Sequence, residues 1–173
     1  MVDLERCIGF KSCETACKLE NGVTEGRHRT KVIWVDHHEG NKLFFVSMPC
    51  MHCAKPACRQ ACPTGAIYKR PEDGIVLIDK AKCIGCRYCS WACPYGAMSF
   101  DANKMVADKC TYCAHRLARG EQPACVSKCP GYALSFGKAD ELITKAKSDG
   151  RWFRDINRSG TKPSTIYLER LKT

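Results

Sequence analysis

The sequence has no long apolar run and no recognisable export signal. Its longest purely apolar stretches are residues 43–46 and 75–78, far shorter than the roughly 20 residues that a membrane-spanning helix needs. The N-terminal residues MVDLERC contain no charged stretch followed by an apolar one, and no twin-arginine pair precedes the first cysteine. We therefore expect no transmembrane segment and a cytoplasmic location, or a periplasmic one if an exported partner carries the chain.

The sequence also lacks the usual marks of a substrate site. It has no glycine-rich nucleotide loop, no nucleophile with a neighbouring base and no evident group of converging acids. These are the features by which a site that makes or breaks substrate bonds is recognised. We therefore predict no catalytic residues in this chain.

Cysteine, in contrast, is abundant, with 15 among 173 residues. The apolar fraction of 45% counts these cysteines, so the remaining apolar residues provide only a thin core for a chain of this length. Something must crosslink the chain, and the chemical candidates are disulfides, zinc ions and iron-sulfur clusters.

One cysteine group, the third along the chain, has a specific spacing. It follows C-x2-C-x2-C-x3-C-P, the pattern of bacterial ferredoxins. Three cysteines in one tight loop reach three corners of a [4Fe-4S] cube, whereas the fourth points to another cluster, so two such runs complete each other. The members of group three are Cys83, Cys86, Cys89 and Cys93, followed by Pro94.

Three further groups vary this pattern. Groups two and four keep the final C-x3-C-P but have longer gaps before it, and group one has Phe10 where a fourth cysteine would stand. The members are Cys50, Cys53, Cys58 and Cys62 in group two, Cys110, Cys113, Cys125 and Cys129 in group four, and Cys7, Cys13 and Cys17 in group one.

Zinc and disulfides fit these spacings poorly. Tetrahedral zinc sites combine two separated cysteine pairs and need neither a third cysteine two residues on nor a proline after a fourth. An odd number of cysteines leaves one unpaired by disulfides, and triplets at this spacing crowd one another. We therefore predict iron-sulfur clusters rather than a zinc-dependent interaction module or a disulfide framework.

Clusters also account for the positive charge. Lys and Arg exceed Asp and Glu by 28 to 18, a net charge of +10, which would ordinarily suggest nucleic acid or an anionic membrane. Three clusters with their thiolates, at about −2 each, would lower that balance to roughly +4. Because the basic residues are dispersed and the aromatic motifs of RNA-binding modules are absent, we predict no nucleic-acid partner.

Internal repeats organise the chain around the cysteines. CPTGAI at 62–67, CPYGAM at 93–98 and CPGYAL at 129–134 align with one another. The first two are followed by short strand-like segments, which predict β-hairpins. A further hairpin is predicted within residues 31–46, with Gly40 and Asn41 in its bend region.

The C-terminal region predicts a helix and an extended tail. Ala139 to Ser148 has helical spacing, with acidic residues at its start and Gly150 placed to end it. In the tail, two interpretations of the aromatic residues stay open: packing on their own domain, or docking on another subunit. These residues are Trp152, Phe153 and Tyr167.

Two histidines lie within cysteine groups. His52 belongs to the second group and His115 to the fourth. Each is a candidate hydrogen-bond donor to a cluster sulfur, although such residues are more often solvated. We predict that no histidine binds metal, and that His37 and His38 lie in a polar turn at the surface.

The four groups together resemble a known family. Their order, with a short middle gap in group two, a regular group three and a long gap in group four, is similar to the iron-sulfur subunit of the dimethyl sulfoxide reductase class, over residues 1–137. That class includes electron-transfer subunits of polysulfide, thiosulfate and nitrite reductases and of formate dehydrogenases. Related polyferredoxin subunits serve tungsten enzymes of the aldehyde oxidoreductase type, including class II benzoyl-coenzyme A reductase, and the N-terminus without an export signal fits that branch.

The resemblance implies an α+β fold of two interleaved bacterial-ferredoxin-like cluster-binding units with short β-hairpins and little regular structure. Groups one and four form the outer unit, at 1–30 and 103–137. Groups two and three form the inner unit, at 47–102. A β-hairpin insertion occupies 31–46, and a C-terminal helix with a docking tail occupies 138–173.

The same resemblance implies the ligands of three [4Fe-4S] clusters, at sites that we name A, B and C. The implied ligands are Cys50, Cys53, Cys58 and Cys93 for site A; Cys62, Cys83, Cys86 and Cys89 for site B; and Cys17, Cys110, Cys113 and Cys125 for site C.

A fourth site, D, is incomplete. Cys7, Cys13 and Cys129 remain for it, with Phe10 in the vacant position. A phenyl ring cannot bind iron, so three outcomes stay open: a [3Fe-4S] cluster, a cube with water or a foreign ligand at one corner, or no cluster. In the last case the three thiols would pack around Phe10 as a small core.

The function implied is electron transfer without catalysis. A chain of [4Fe-4S] clusters would relay single electrons to or from a catalytic subunit that contains molybdenum or tungsten, and a further redox donor or acceptor would serve the other end. The alternative is a free-standing polyferredoxin carrier or an iron-sulfur maturation carrier. The extra cluster sites and the basic, aromatic tail favour a docked subunit.

Overall fold

The computed structural model describes residues 1–37 and 42–169. In these ranges short helices alternate with four small sheets, which confirms a mixed α and β chain. The strands are β1 (Val2–Asp3), β2 (Lys31–His37), β3 (Lys42–Met48), β4 (Ile67–Lys69), β5 (Val76–Ile78), β6 (Met98–Asp101), β7 (Val106–Lys109), β8 (Phe153–Arg154) and β9 (Tyr167–Leu168). The helices are α1 (Ser12–Asn21), α2 (Ala57–Gln60), α3 (Tyr88–Ala92), α4 (Ala114–Leu117), α5 (Ala124–Ser127) and α6 (Ala139–Ser148).

Three antiparallel hairpins form where the sequence predicts them. β4 pairs with β5, and β6 pairs with β7, directly after the second and third cysteine groups. β2 pairs with β3 in a register that sets Lys31 opposite Met48, whereas the bend predicted at Gly40 and Asn41 lies outside the described residues. Each hairpin returns the chain to the next cysteine group.

The turn between β4 and β5 shows how this sequence forms a hairpin. Gly74 has a φ of +70°, in the left-handed region that glycine enters without strain. The Ile75 N–H donates a hydrogen bond to the Asp73 carboxylate at 3.0 Å, and the Gly74 N–H donates to the Arg70 carbonyl at 2.9 Å. An aspartate followed by glycine thus reverses the chain within a few residues.

The apolar core is thin, as the composition predicts. Two small groups of buried residues form it, and cysteine side chains belong to the first of them. The groups are Cys58, Ile67, Val76, Cys89 and Ala107 around the β4–β5 hairpin, and Val2, Leu4, Met51 and Tyr167 where β1 meets β9.

The predicted C-terminal helix is confirmed as α6. Asp140 and Glu141 lie in its first turn, where acidic side chains interact favourably with the helix dipole. Gly150 follows the helix with a φ of +66°. In the part of the chain that the structure describes, no helix has the length and apolar character needed to cross a membrane.

The segment after α6 is anchored on the rest of the chain. β9 pairs with β1 in parallel and with β8 in antiparallel fashion. The buried Tyr167 donates its hydroxyl to the Ser47 carbonyl at 2.8 Å, and the Arg151 guanidinium donates to both carboxylate oxygens of Asp3 at 2.8 Å. Tyr167 therefore packs on its own domain, whereas Trp152 is exposed.

The Tyr167 hydroxyl provides a test of this anchoring. In Tyr167→Phe the Ser47 carbonyl loses its hydroxyl donor, and a buried polar group without a partner costs about 1–3 kcal/mol. In a chain of this length, each kcal/mol lowers Tm by about 2–4 °C. We expect a lower Tm by circular dichroism with unchanged iron content. Tyr132→Phe, at an exposed ring, is the control, and equal Tm values for the two variants would contradict the anchoring role.

Candidate metal-cluster sites

The four thiols predicted for site A line one cavity. The cavity is also lined by His52, Val76 and Tyr95. Cys58 lies on α2, and Cys93 directly follows α3. The chain thus brings three thiols of group two together with the last thiol of group three.

Site B is the complement of site A. Its cavity is lined by Cys62, Cys83, Cys86 and Cys89. The Ala107 N–H donates to the Cys83 Sγ at 3.4 Å. Burial opposes ionisation of Cys62, but hydrogen bonds from the backbone of Ile67 and from Thr64 lower the pKa of this thiol overall. The last thiol of group two therefore lies beside three thiols of group three.

The thiols predicted for site C are more deeply buried. They are Cys17, Cys110, Cys113 and Cys125. Burial, together with nearby thiols, raises the pKa of Cys17 to about 12 and that of Cys110 to about 11. The Tyr112 N–H donates to the Cys110 Sγ at 3.4 Å. Groups one and four therefore meet at this site.

A polar network supports site C. The Asn21 side-chain amide lies within 3.7 Å of the Cys17 Sγ and 3.8 Å of the Cys113 Sγ. Arg29 donates to the side-chain amide oxygen of Asn21 at 2.8 Å and to both carboxylate oxygens of Asp108 at 2.6 and 2.9 Å. Asn21 ends α1 and Asp108 lies on β7, and the buried Arg29 bonds to both. Arg29 therefore holds group one against group four. Cysteine spacing gives no signal for either Asn21 or Arg29.

Site D has a cavity but no fourth thiol. Cys7, Cys13 and Cys129 line one pocket. The Ala133 N–H donates to the Cys129 Sγ at 3.3 Å. Phe10 also lines this pocket, but the residue is 72% exposed, so its phenyl ring is not buried among the thiols. This geometry does not support three thiols packed around Phe10 as a small core.

One turn recurs in all four groups. In each group, the residue directly before the second cysteine, or before Phe10 in group one, has a φ between 44° and 72°, in the left-handed region. Groups one and three have glycine there, and a Cβ on Gly85 would come within 2.5 Å of the Met105 carbonyl oxygen. Groups two and four instead have His52 and Tyr112, whose rings stack with centroids 3.7 Å apart.

The histidines differ in their surroundings. The expectation of a solvated side chain is wrong for His52, which is buried and accepts a hydrogen bond from the Val76 N–H at Nδ1. Burial, followed by the nearby charges of Lys109 and Lys69, holds the pKa of His52 well below its usual value. His115 lies 2.8 Å from Glu20 in a surface pair. The turn predicted around His37 and His38 lies outside the described side chains.

The donor sets at these sites fit iron-sulfur clusters. N–H groups already donate to the sulfurs of Cys83, Cys110 and Cys129, as cluster sites require. The His52 Nε2, beside site A, has no hydrogen-bond partner in the described ranges. All 15 cysteines are free of disulfides. Among residues 1–37 and 42–169, no group of three or more His, Cys, Asp or Glu side chains is arranged to hold a single metal ion.

Known proteins share this pattern. Residues 41–139 match the sequence model of the family described as 4Fe-4S dicluster domain. The chain is 36% identical over 199 residues to a sulfite dehydrogenase subunit of Allochromatium vinosum, covering 100% of this chain and 83% of the relative. It is 49% identical over 144 residues to the thiosulfate reductase electron transfer subunit of Salmonella typhi, covering 80% and 74%. It is 42% identical over 154 residues to one of the chains of the anaerobic dimethyl sulfoxide reductase of Escherichia coli, covering 83% and 75%.

These relatives align with most of the chain, and the matched domain includes the whole of cysteine groups two, three and four. Together with the thiol-lined cavities, they account for the abundance of cysteine and the thin core. The chain belongs to the 4Fe-4S dicluster family of iron-sulfur electron-transfer subunits.

Proposed function

We propose that this subunit relays single electrons through sites A, B, C and D between a redox partner and a catalytic subunit that contains molybdenum or tungsten. The observation that supports the proposal is that thiols from different cysteine groups line common pockets. Named relatives belong to a sulfite dehydrogenase, a thiosulfate reductase and a dimethyl sulfoxide reductase. A redox subunit of this kind leaves bond chemistry to its partner.

The ligand sets are part of the proposal. Sites A and B would be completed by an exchange of last cysteines, since Cys93 lies with group two and Cys62 with group three. Sites C and D would exchange in the same way, since Cys17 lies near the group four thiols and Cys129 near Cys7. This exchange supports the interleaved inner unit at 47–102 and outer unit at 1–30 and 103–137.

Adjacent sites share structural elements, which supports the order B, A, C, D. Cys58 of site A and Cys89 of site B belong to the same apolar group. The stacked rings of His52 and Tyr112 join the loops of sites A and C. α1 carries Cys13 of site D and Cys17 of site C.

The clusters, when bound, supply reversible one-electron chemistry. The protein supplies the thiolates, excludes water by burial and donates N–H groups to sulfur, and each of these contributions shifts the reduction potential. Thiols must lose their protons to bind iron, and burial disfavours the negative charge of the resulting thiolates. The buried N–H donors and cations of this chain offset that cost.

Two cysteines four residues apart test the exchange of ligands. Cys93→Ser is expected to impair site A, and Cys89→Ser is expected to impair site B, although both residues lie in group three. Each variant should lose up to about four iron atoms or convert one cluster, as measured by iron and sulfide analysis. Electron paramagnetic resonance (EPR) of the reduced proteins should show different signals missing in the two variants. Loss of the same signal from both would contradict the exchange.

Site D is proposed to hold a [3Fe-4S] cluster. Its three thiols line one pocket, and Phe10 at the rim of that pocket is largely exposed. The wild-type subunit would then contain about 15 iron atoms, from three cubes and one three-iron cluster. Oxidised protein would show the [3Fe-4S] EPR signal.

Phe10→Cys supplies the missing thiol. We expect about 16 iron atoms, loss of the oxidised [3Fe-4S] signal and a new reduced [4Fe-4S] signal. Phe10→Leu, which offers no ligand, should keep the wild-type iron content and spectrum. About 12 iron atoms in the wild type, without a [3Fe-4S] signal, would contradict a filled site D.

A docked subunit and a free carrier differ in size. Under anaerobic conditions the subunit in native extract should elute on size exclusion with a much larger protein that contains molybdenum or tungsten. Elution of all the chain near its own mass of 19.3 kDa would support a free-standing polyferredoxin instead. Zinc in place of iron in the purified chain would overturn both functions.

A further inference from the structure

A buried lysine lies at the junction of sites A and C. Lys109, the last residue of β7, is only 1% exposed. Its ammonium group donates hydrogen bonds to the Val76 carbonyl and, at 2.9 Å, to the Cys110 carbonyl. In the part of the chain that the structure describes, no carboxylate forms an ion pair with it. A buried cation is unfavourable unless an anion compensates it.

The Lys109 ammonium is hydrogen-bonded to a residue of each site. Val76, whose carbonyl binds Lys109, lines the site A cavity. Cys110, whose carbonyl also binds Lys109, is itself a proposed site C ligand.

The neighbouring histidine does not duplicate this charge. His52 accepts the Val76 N–H at Nδ1, which requires that ring nitrogen to be unprotonated. The same peptide residue is thus held by His52 at its N–H and by Lys109 at its carbonyl. Lys69 also donates to a ligand carbonyl, that of Cys53, but Lys69 is only partly buried. Lys109 is the fully buried cation of the junction.

We propose that Lys109 is a counter-cation shared by the clusters at sites A and C, and that it raises the reduction potentials of both. This inference rests on the proposed ligand sets. Each reduction adds an electron to an already anionic cluster, so a buried positive charge favours the reduced state. Lys109 is thus a positioning and tuning residue that acts on two adjacent sites of the relay.

The chain offers a matched control. Lys82 precedes Cys83, the first cysteine of group three, as Lys109 precedes Cys110, the first cysteine of group four. The Lys82 side chain is 66% exposed and forms a surface pair with Asp79, so solvent screens its charge. The two lysines share their position before a cysteine and differ in burial.

The experiment compares Lys109→Met with Lys82→Met in the full-length subunit. Iron content is measured first, and midpoint potentials follow from EPR-monitored redox titration, with signals assigned through variants that remove one ligand from each site. For Lys109→Met we expect at least a tenfold less favourable reduction at sites A and C, which is a shift of 59 mV or more to lower potential for one electron. In Lys109→Met, the equilibrium constant for reduction at site B should change less than twofold. In Lys82→Met, the constants at sites A and C should also change less than twofold.

The outcomes distinguish an effect of Lys109 on the reduction potentials from a purely structural role. Unchanged potentials at sites A and C, in Lys109→Met with full iron content, would overturn the inference. If Lys109→Met contains no iron at sites A and C, Lys109→Arg and Lys109→Gln are compared. Iron at both sites in Lys109→Arg but not in Lys109→Gln supports a required positive charge, and any other pattern overturns the inference. Wild-type protein without iron at A or C would instead refute the proposed function.

Discussion

The central constraint on this fold is the burial of many anionic sulfur ligands in a chain with little apolar core. Each thiolate removed from water needs compensating charge or hydrogen bonds. The chain provides them locally, through N–H donors such as those of Ala107 and Ala133, and over long sequence distances, through Asn21 and Arg29. Because Ala107 lies on β7, one of the hairpins presents such a donor to a cysteine loop.

The recurrent left-handed turn explains how four similar groups acquire different roles. Glycine at this turn, as at Gly9 and Gly85, contributes no side chain. His52 and Tyr112 take the same backbone conformation at some cost in strain for residues with a Cβ, and their stacked rings connect two loops. The departure from glycine therefore coincides with the place where the proposed inner and outer units meet.

Sequence spacing predicts local features well and long-range ones poorly. The hairpins after groups two and three and the helix α6 depend on nearby residues, and the structure confirms them. The convergence of Cys93 with group two follows from the family resemblance rather than from spacing alone. The burial of Lys109 and His52, and the pairing of β9 with β1, depend on contacts between distant segments. A lysine beside a cysteine is ordinarily solvated, as Lys82 is.

Exposure varies along the proposed order of sites in a way that suits a relay. Cys86 of site B is exposed, and Ile84 and Trp91 beside it are also open to solvent. Three of the four proposed site C ligands are buried, and sites A and C share the buried Lys109 junction. In the proposed order, an electron at the middle sites A and C would be better shielded from water than one at site B. The buried Lys109 cation keeps the middle sites reducible, where burial alone would disfavour added negative charge.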